Sequence, residues 1–524
     1  MTAQPPVDEL LAGEPPDLRL LLPAAAAWLA AGATIGWSSR AGLTVALVLI
    51  GVAVGAWLLA GGRRAGGRLG ARRWWALVLA AAALCAAGSA AAAAWRVAAI
   101  HRGPLPALAR ADAKVSLELV IGSDPKQLFV AVGTHGARRS IVILSAKALE
   151  VTTVDGVTTS IRSPVFVLAG GHGWLELQPS EHVRASGRLG VPQPGEFETA
   201  TFDATGSPST VGRASPVQRI AGQVRASLRA ATAPLPAGPG GLLPGLVDGD
   251  VARLPPQVEA DFKTTGLTHL VAVSGANVAI VLGAVLVVAR WTGLRVRGQA
   301  CAGVLVIVAF VVVARPQPSV LRAAAMGLVA VVALSTGRRK RALPALSAAV
   351  LCLIYVDPTL ARSVGFALSV LATGALVVVA PRLRDHLAQV MPRRLAEALS
   401  VPTAATLVCA PVIASISGSV SLVAIPANLL AEPVVGVATI LGVLTACIAP
   451  FWLTGATLLA RLGAVPCSWL VFVAHTFAHL PGASLPWPSG SVGALDLVGV
   501  VGLFALAARL LWHAATRAAD ARND

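Results

Sequence analysis

Twelve apolar segments constrain the fold of this chain more than any other feature of its sequence. An α-helix needs about 20 apolar residues to cross roughly 30 Å of hydrocarbon, and most of these segments approach or exceed that length. Of the 524 residues, 56% are hydrophobic and 13% are charged, compared with roughly 25% charged in an average soluble domain. A soluble fold is therefore nearly excluded. The segments lie near residues 20–37, 42–61, 74–100, 267–289, 299–314, 319–336, 342–357, 363–380, 400–416, 422–448, 451–476 and 492–512.

The sequence between these segments divides the chain into four predicted parts. They are a three-helix transmembrane region over 1–100, a β domain over 101–215, an amphipathic helix with a polar loop over 216–266, and the remaining transmembrane helices over 267–524. The first 17 residues contain acidic but no basic side chains. We therefore expect no cleavable signal, which would begin with a positively charged stretch. The predicted fold class is a mainly α, polytopic membrane protein with about 12 transmembrane segments and an extracytoplasmic β domain.

The β domain is predicted from alternation of apolar and polar side chains. This alternation is clear in Val115–Val120, Ile141–Leu144 and Val165–Leu168, and Gly and Pro residues separate the runs. A period of two is typical of strands that bury one face, and short strands of this kind favour a small barrel. The six cysteines of the chain all lie in apolar runs outside this domain. We interpret them as small core residues rather than disulfides or metal ligands.

The stretch Pro216–Thr232 is predicted to be an amphipathic helix on a membrane surface. Its apolar residues recur at four-residue spacing and its arginines occupy other positions. The apolar set is Ile220, Val224 and Leu228, and the basic set is Arg219, Arg225 and Arg229.

Basic residues in alternate short loops predict the orientation of the helices. One set of loops holds 16 basic residues and the opposite set holds 3. Because Lys and Arg accumulate in cytoplasmic loops, we expect both chain ends in the cytoplasm and the β domain outside. The rich set is Arg63, Arg64, Arg68, Arg72, Arg73, Arg290, Arg295, Arg297, Arg338, Arg339, Lys340, Arg341, Arg382, Arg384, Arg393 and Arg394, and the poor set is Arg40, Arg315 and Arg362.

The stretch 241–277 places polar side chains directly before and within the entrance of an apolar helix. We select Asp250, His269, Ser274 and Asn277 as candidate functional residues, since unpaired polar groups at that depth cost several kcal/mol. The equally weighted alternative is a solvated outer loop with an ordinary helix cap.

Three further polar clusters interrupt apolar segments. Arg322 lies about one turn inside a span, so it faces protein or water, or else extends to the outer interface. Asp357 and Arg362 belong either to a site or simply to an outer loop. Asn428 and Glu432 are four residues apart between two prolines, which favours a broken helix lining a cavity over a structural kink.

Soluble-enzyme chemistry has little support in the sequence. No GxxxxGK[ST] phosphate loop is present, so the chain does not resemble a transport motor. His475 and His479 are four residues apart, but no general-base Glu lies between them and no third ligand is evident. We therefore predict that the chain is not an enzyme and has no metal site and no cofactor.

Several short blocks occur in a fixed order through the second half of the chain, and their series resembles the ComEC family, the inner-membrane channel of bacterial natural transformation. The segment ending in Arg184–Leu189 and Pro192–Phe197 is similar, more weakly, to the OB-type domain of that family. The ordered blocks are Gly249-Asp250, Phe262, Thr265–Leu270, Val273–Gly275, Pro318–Met326, Asp357-Pro358, Gly365-Phe366, Leu368-Ser369, and Ala427–Leu430 with Pro433.

The chain also departs from this family. It has Asn277 where many members have His and Ala367 where many have Gln. It shows no HxHxDH motif of the C-terminal metallo-β-lactamase-like domain that many members carry. The resemblance therefore implies a form without that domain, whose nuclease activity comes from another protein or is absent.

The resemblance implies a channel that conducts single-stranded DNA, with membrane lipid around it. It also implies a helix-hairpin-helix DNA receptor, a helicase-type motor and ssDNA-binding proteins as partners. Whether the protein also forms a homo-oligomer is left open. Phosphates need a hydrated path, so we expect the functional core to converge on one passage. That core is Asp250, His269, Ser274, Asn277, Arg322, Asn428 and Glu432, and the candidate DNA contacts of the outer domain are Arg138, Arg139, Lys147, Arg184 and Arg188.

Two other functions fit the same pattern. One is a secondary transporter or permease for a small anionic or envelope solute, with its site in the Pro426–Pro433 segment. The other is a non-conducting membrane scaffold whose outer domain binds a partner. The basic residues of the outer domain are equally compatible with an ordinary solvated face.

Overall fold

The computed structural model describes residues 19–61, 71–132, 137–192, 197–271, 273–316, 318–335, 342–503 and 507. Helices form two blocks that are separated in the chain by a β sheet. The first block is α1 (Leu21–Thr34), α2 (Ser39–Gly61), α3 (Ala71–Ile100) and the short α4 (Leu105–Arg110). The predictions that rest on residues 1–17, on Arg63, Arg64 and Arg68, and on 338–341 lie outside the described residues.

The second block begins directly after the sheet and continues through the described part of the chain. Its helices are α5 (Pro216–Thr232), α6 (Ala237–Asp248), α7 (Pro256–Thr264), α8 (Thr268–Val271), α9 (Gly275–Trp291), α10 (Val296–Ala314), α11 (Pro318–Ser335), α12 (Ala342–Val356), α13 (Val364–Leu387, with a π turn at Ala375–Val379), α14 (Arg393–Ser417), α15 (Ala424–Ile448), α16 (Leu453–Ala478) and α17 (Gly490–Leu503).

Seven helices among the described residues are long and apolar enough to cross a membrane: α2, α3, α10 and α13 to α16. Five shorter apolar helices accompany them: α1, α9, α11, α12 and α17. Each predicted apolar segment therefore contains a helix. The predicted fold class, a polytopic helical membrane protein with an OB-like domain, is confirmed.

Small residues allow the first helices to approach closely. Ala27, Ala90 and Ala93 are fully buried, and the Ser89 hydroxyl donates to the Ala27 carbonyl at 2.8 Å. Lipid tails offer no hydrophobic driving force for helix association, so close van der Waals packing and hydrogen bonds of this kind hold α1 against α3.

The sheet is a small barrel with an added hairpin strand. Strands β1 (Lys114–Ile121), β5 (His182–Gly190), β6 (Ala200–Gly212), β4 (Thr158–Ala169) and β3 (Ala137–Thr153) pair in that order, and β3 pairs back to β1. The β4–β6 pair is parallel, and the other pairs are antiparallel. Strand β2 (Lys126–Val132) pairs antiparallel with the first part of β3, residues 137–143. Closure of the ring removes free edges that would otherwise invite pairing with other chains.

The barrel core explains the alternation seen in the sequence. Leu117, Leu119, Val165 and Val167 point inward with Phe202, and all are fully buried. Trp174 is also buried, and its indole donates to the Gly206 carbonyl at 2.9 Å. Phe202 and Trp174 are therefore core residues and offer no stacking surface for bases.

The long hairpin of α15 and α16 forms the support for α6 to α8. Leu242, Leu246, Phe262 and Leu267 are completely buried in one cluster with residues of α15 and α16. A Cβ on Gly442 of α15 would lie 2.5 Å from Val247, so only glycine permits this approach. The apolar side chains after residue 241 are thus mostly packed into the bundle. Val251 is 39% exposed, however, and Ser274 is the N-cap of α9, as the alternative of an outer loop with a helix cap expects.

The faces of α5 differ from the prediction. Arg225, expected on the polar face, is buried, whereas Ile220, expected on the apolar face, is 62% exposed. The helix packs on other elements through Ala221, Leu228 and the guanidinium of Arg225, because that cation has buried acidic and carbonyl partners. The expectation that Arg225 belongs to a polar face with Arg219 and Arg229 is therefore wrong, whereas the exposed Ile220 is compatible with the predicted position on a membrane surface.

The predicted break between Pro426 and Pro433 is also wrong. Helix α15 continues from Ala424 to Ile448 with Pro433 inside it. Pro426 lies in the first turn, where its missing N–H costs no hydrogen bond. The indole of Trp469 on α16 donates to the Leu430 carbonyl at 3.0 Å, three residues before Pro433. This bond joins α16 to α15 near the proline, but it does not replace the bond that Pro433 fails to make, which would go to the Leu429 carbonyl four residues earlier.

Candidate functional site

A cluster of four charged residues joins the sheet to the helices, and we call it the charged clasp: Asp124, Arg225, Asp248 and Arg315. Asp124 lies between β1 and β2, and Arg315 directly follows α10. Nε and Nη2 of Arg315 donate to the two carboxylate oxygens of Asp124 at 2.9 and 2.8 Å. Nη2 of Arg225 is 3.3 Å from Asp124 Oδ2. One carboxylate therefore binds two guanidinium groups, one from α5 and one from the residue that follows α10.

Arg225 extends the clasp to the end of α6. Its Nη1 donates to the carbonyls of Asp248 at 2.6 Å and Val313 at 3.0 Å. The Asp248 carboxylate is 3.8 Å away and 1% of this residue is exposed. Helix α6 is not one of the spanning helices, and burial raises the pKa of Asp248 to about 6 although Arg225 acts to lower it. Among the described residues, Asp248 Oδ2 has no hydrogen-bond partner.

Asp250 lies beside the clasp. Its backbone N–H donates to Asp248 Oδ1 at 3.0 Å, and its own carboxylate is 3.4 Å from Nε of Arg229. Gly249, between the two acids, adopts a φ of 77°, the left-handed conformation that ends α6. The polar loop therefore turns back on the helix and places both acids near α5.

Asn277 joins three helices. Its Nδ2 donates to the Leu246 carbonyl of α6 at 2.8 Å, and its Oδ1 accepts from Ser274 at 3.1 Å and from Thr439 of α15 at 3.5 Å. Ser274 is the N-cap of α9 and accepts from the Asn277 N–H. Asn277 is 1% exposed, so these bonds replace the water that its amide would otherwise bind.

Arg322 is a buried cation close to the start of α9. Its Nε donates to the Ser369 hydroxyl of α13 at 2.6 Å, and its Nη1 is 3.2 Å from the sulfur of Met326. A Cβ on Gly275 would lie 2.5 Å from Arg322 Nη2, so the guanidinium lies directly against the first turn of α9. Among the described residues, no carboxylate is within ion-pair distance of Arg322.

These contacts connect four of the predicted site residues. Ser274 and Asn277 bond to each other, Arg322 lies against Gly275 between them, and Asn277 reaches α6 two residues before Asp248. Asp250 is connected to the same group of contacts because its N–H donates to Asp248. We call Ser274, Gly275, Asn277, Arg322 and Ser369 the α9 cluster.

Three other predicted residues do not join this cluster through a hydrogen bond or ion pair in the described structure. The exposed His269 contacts the Gly266 carbonyl at 3.3 Å. Asn428 is buried and donates to the Ala424 carbonyl of its own helix at 2.7 Å. Glu432, one turn later, is exposed. The expectation that Asn428 and Glu432 line one cavity is therefore not supported.

Asp357 and Arg362 have structural contacts. Asp357 caps the short turn Pro358–Arg362 by accepting from the Thr359 N–H at 3.1 Å. Arg362 Nε donates to the Gly32 carbonyl of α1 at 2.8 Å. The outer-loop interpretation of this pair fits these contacts.

Three of the candidate basic residues of the β domain lie on the solvent-facing side of the barrel. Lys147, Arg184 and Arg188 are exposed, and an open groove of about 540 Å³ beside Arg188 is also lined by Lys114 and Ser116. Arg184 is 3.1 Å from Glu118, and Arg188 is 2.6 Å from Asp112. The side chains of Arg138 and Arg139 lie outside the described residues, although their backbone belongs to β3.

A family model described as Competence protein matches residues 246–513. The chain belongs to this family. The competence family acts in DNA uptake, so DNA is a partner of this membrane protein. No curated protein and no solved structure matched the chain.

The competence-family match includes the α9 cluster, Asp248 and Arg315, but not Asp124 or Arg225. Those two residues of the clasp were not identified from the sequence as site residues. The sequence does contain a signal for Arg225. This residue lies three or four positions from Ala221 and Leu228, on one helix face with Thr232, and all three of these residues are buried. Asp124 has no comparable local signal, because its partners lie far away in the chain.

Proposed function

We propose that this competence-family protein is an inner-membrane channel that conducts single-stranded DNA into the cytoplasm. The observation that carries the proposal is Arg322, a buried cation in the helical bundle with a hydroxyl and a thioether as its described side-chain partners. A charged side chain inside a membrane costs roughly 2.5–3.5 kcal/mol or more, and such residues usually mark ion or substrate pathways. Guanidinium groups bind phosphates in bidentate geometry, so a passing phosphate is a suitable partner.

The α9 cluster then acts as the gate of the channel. Asn277 and Arg322 are covered by protein in this arrangement, so conduction requires α9 to separate from α6, α11 or α13. The hydrogen bonds of Asn277 to Leu246 and Thr439 are the contacts that such a movement breaks.

The outer face of the barrel collects the strand before it enters the helices. Arg184 and Arg188 are more than half exposed in their side chains. Exposed ion pairs contribute only about 0.2–1 kcal/mol, so the 65% exposed Asp112 can give way to phosphates at little cost, whereas Glu118 is only 17% exposed and holds Arg184 more firmly. With Lys147 and the groove beside Arg188, this surface offers a sequence-independent electrostatic contact.

The proposed orientation places the barrel outside and the chain ends in the cytoplasm. Arg315 contacts the barrel, whereas Arg290, Arg295 and Arg297 lie at or before the opposite end of α10. The 19 residues of α10 span about 28 Å at 1.5 Å per residue, close to the thickness of the hydrocarbon. The arginine-rich loop then lies on the cytoplasmic side. A DNA receptor with helix-hairpin-helix elements, a helicase-type motor and ssDNA-binding proteins complete the proposed pathway.

Uptake of labelled DNA by a deletion strain that carries variants tests the proposal. R322A should abolish uptake while the protein still inserts into the membrane, and R394A, which changes an exposed arginine at the start of α14, should behave as wild type. Uptake at the wild-type level by R322A would contradict the assigned role. Loss of solute uptake in the deletion strain with unchanged transformation would favour a permease instead, and loss of neither would favour a scaffold.

A further inference from the structure

Two histidines and a carboxylate meet between α7 and the carboxyl end of α16. His475 Nδ1 is 2.9 Å from Asp261 Oδ2, and the rings of His475 and His479 have centroids 4.2 Å apart. One ligand atom from each of the three residues lies within 4.8 Å of the others. Asp261 supplies the third ligand that the sequence did not reveal, because it lies 214 positions before His475.

Neighbouring hydrogen bonds already orient two of these ligands. Gln257 Nε2 donates to Asp261 Oδ1 at 3.2 Å, which leaves Oδ2 directed at His475. The His479 Nδ1 bonds to the His475 carbonyl at 2.8 Å, which leaves Nε2 of this ring free. Outer hydrogen bonds of this kind fix the tautomer and orientation of metal ligands. Asp261 is buried and both histidines are exposed, so an ion can enter from solvent.

We propose that Asp261, His475 and His479 bind one divalent transition-metal ion, with Zn²⁺ as the best match. Two imidazoles and one carboxylate form a common ligand set for this ion, with a fourth position left for water. Tetrahedral bonds of about 2.0–2.1 Å place ligand atoms about 3.4 Å apart. The distance of 2.9 Å between His475 Nδ1 and Asp261 Oδ2 must therefore increase slightly, and the ligand atom of His479 must move closer to the other two. Rotation of the two exposed histidine side chains allows both changes.

The ion takes the place of the hydrogen bond between His475 Nδ1 and Asp261 Oδ2. A neutral His475 then carries its proton on Nε2, and a net proton is released only by a ring that begins as imidazolium. The bound ion connects α7 to the carboxyl end of α16. Helix α7 is followed directly by Thr265–Leu270 and the α9 cluster. The metal therefore fixes the segment that leads into the proposed gate, but the site itself depends on no property of the channel.

Metal binding by the full chain in detergent tests this proposal. The protein, purified without a histidine tag and stripped with a chelator, is dialysed against Zn²⁺, and bound metal is measured by mass spectrometry. We expect about one Zn²⁺ per chain, and a visible absorption spectrum of tetrahedral type when Co²⁺ replaces it. D261N, H475A and H479A should lose this binding, and Q257A should weaken it about 10- to 100-fold.

H386A is the matched control. His386 is an exposed histidine whose Nδ1 also bonds to the carbonyl four residues earlier, at 2.8 Å, but it lies outside the cluster. The H386A variant should bind Zn²⁺ as the wild type does. Absence of stoichiometric metal in the wild type, or equal binding by H475A and wild type, would show that Asp261 and His475 form only a hydrogen-bonded pair.

Discussion

Replacement of Asp124 by Asn tests whether the charged clasp holds the barrel against the helices. The substitution keeps the shape of the side chain and removes its charge. Arg315 then loses its two-bond pairing with a carboxylate, and Arg225 loses one of its two acidic partners. Asp248 still pairs with Arg225 from α6.

The expected cost follows from the burial of the three side chains. Arg225 is 11% exposed, Arg315 is 12% exposed and Asp124 is 30% exposed, so solvent screens their interaction only in part. A hydrogen bond to a charged group contributes about 1.5–3 kcal/mol, and breaking a fully buried ion pair costs about 3–5 kcal/mol. Because Asn retains one weaker bond, we expect a loss of about 2–3 kcal/mol. This corresponds to an open population that is about 30- to 150-fold larger.

Native-state proteolysis measures this population. Trypsin can cut after Arg219 only when α5 opens, and the cleavage rate follows the opening free energy when closing is faster than cleavage. Cleavage at Arg219, identified by mass spectrometry of the fragments, should therefore be about 30- to 150-fold faster in D124N than in wild type in detergent. The double variant D124N/R315Q should be little worse than either single variant, since both remove the same contact.

D112N is the matched control for D124N. Asp112 also pairs with an arginine, Arg188 at 2.6 Å, but the two side chains are 65% and 54% exposed. We expect no more than about 0.5 kcal/mol from its loss. Equal cleavage rates for D124N and D112N, or fully additive effects of D124N and R315Q, would refute the view that the clasp fixes the barrel.

Two further predictions concern the α9 cluster and Asp248. G275A should lower the transformation frequency at least about tenfold, which corresponds to about 1.4 kcal/mol, because the new Cβ displaces Arg322 Nη2. G283A in the same helix is the control, since its Cβ meets no atom within 4 Å and the variant should transform as wild type does. Equal transformation frequencies for G275A and G283A would contradict the contact between Gly275 and Arg322. Asp248 has a pKa of about 6 in the folded protein, so the native state keeps a proton that the unfolded chain releases above about pH 4. Its contribution to stability is therefore greatest below pH 4 and decreases as the pH rises through 6. Thermal unfolding of wild type and D248N at pH 4 to 7 should reveal this difference, and a pH-independent difference between them would contradict it.

The local physics of the chain made its elements predictable. Long apolar runs predict helices because a backbone in lipid must satisfy its own hydrogen bonds. Alternation over Val115–Val120 predicts a strand because every second side chain faces the barrel core. Where this reasoning failed, a distant partner had intervened. The indole of Trp469 joins α16 to the Leu430 carbonyl of the continuous α15, and the clasp accounts for the burial of Arg225.

The candidate site was only partly predictable for the same reason. Ser274 and Asn277 lie three residues apart at the start of one helix, so their contact is local and sequence spacing reveals it. Arg322 could be recognised as costly but not placed, since its neighbours Gly275 and Ser369 come from other helices.

The sequence by itself determined that this chain is a membrane protein with one β insert, and it identified the residues that resemble a DNA-uptake family. The tertiary structure decided which of those residues meet. Asp124 finds Arg315 across 191 positions, and Asp261 finds His475 across 214. Helical and strand periods act over a few residues, whereas these pairings depend on how whole elements dock, which no local pattern encodes.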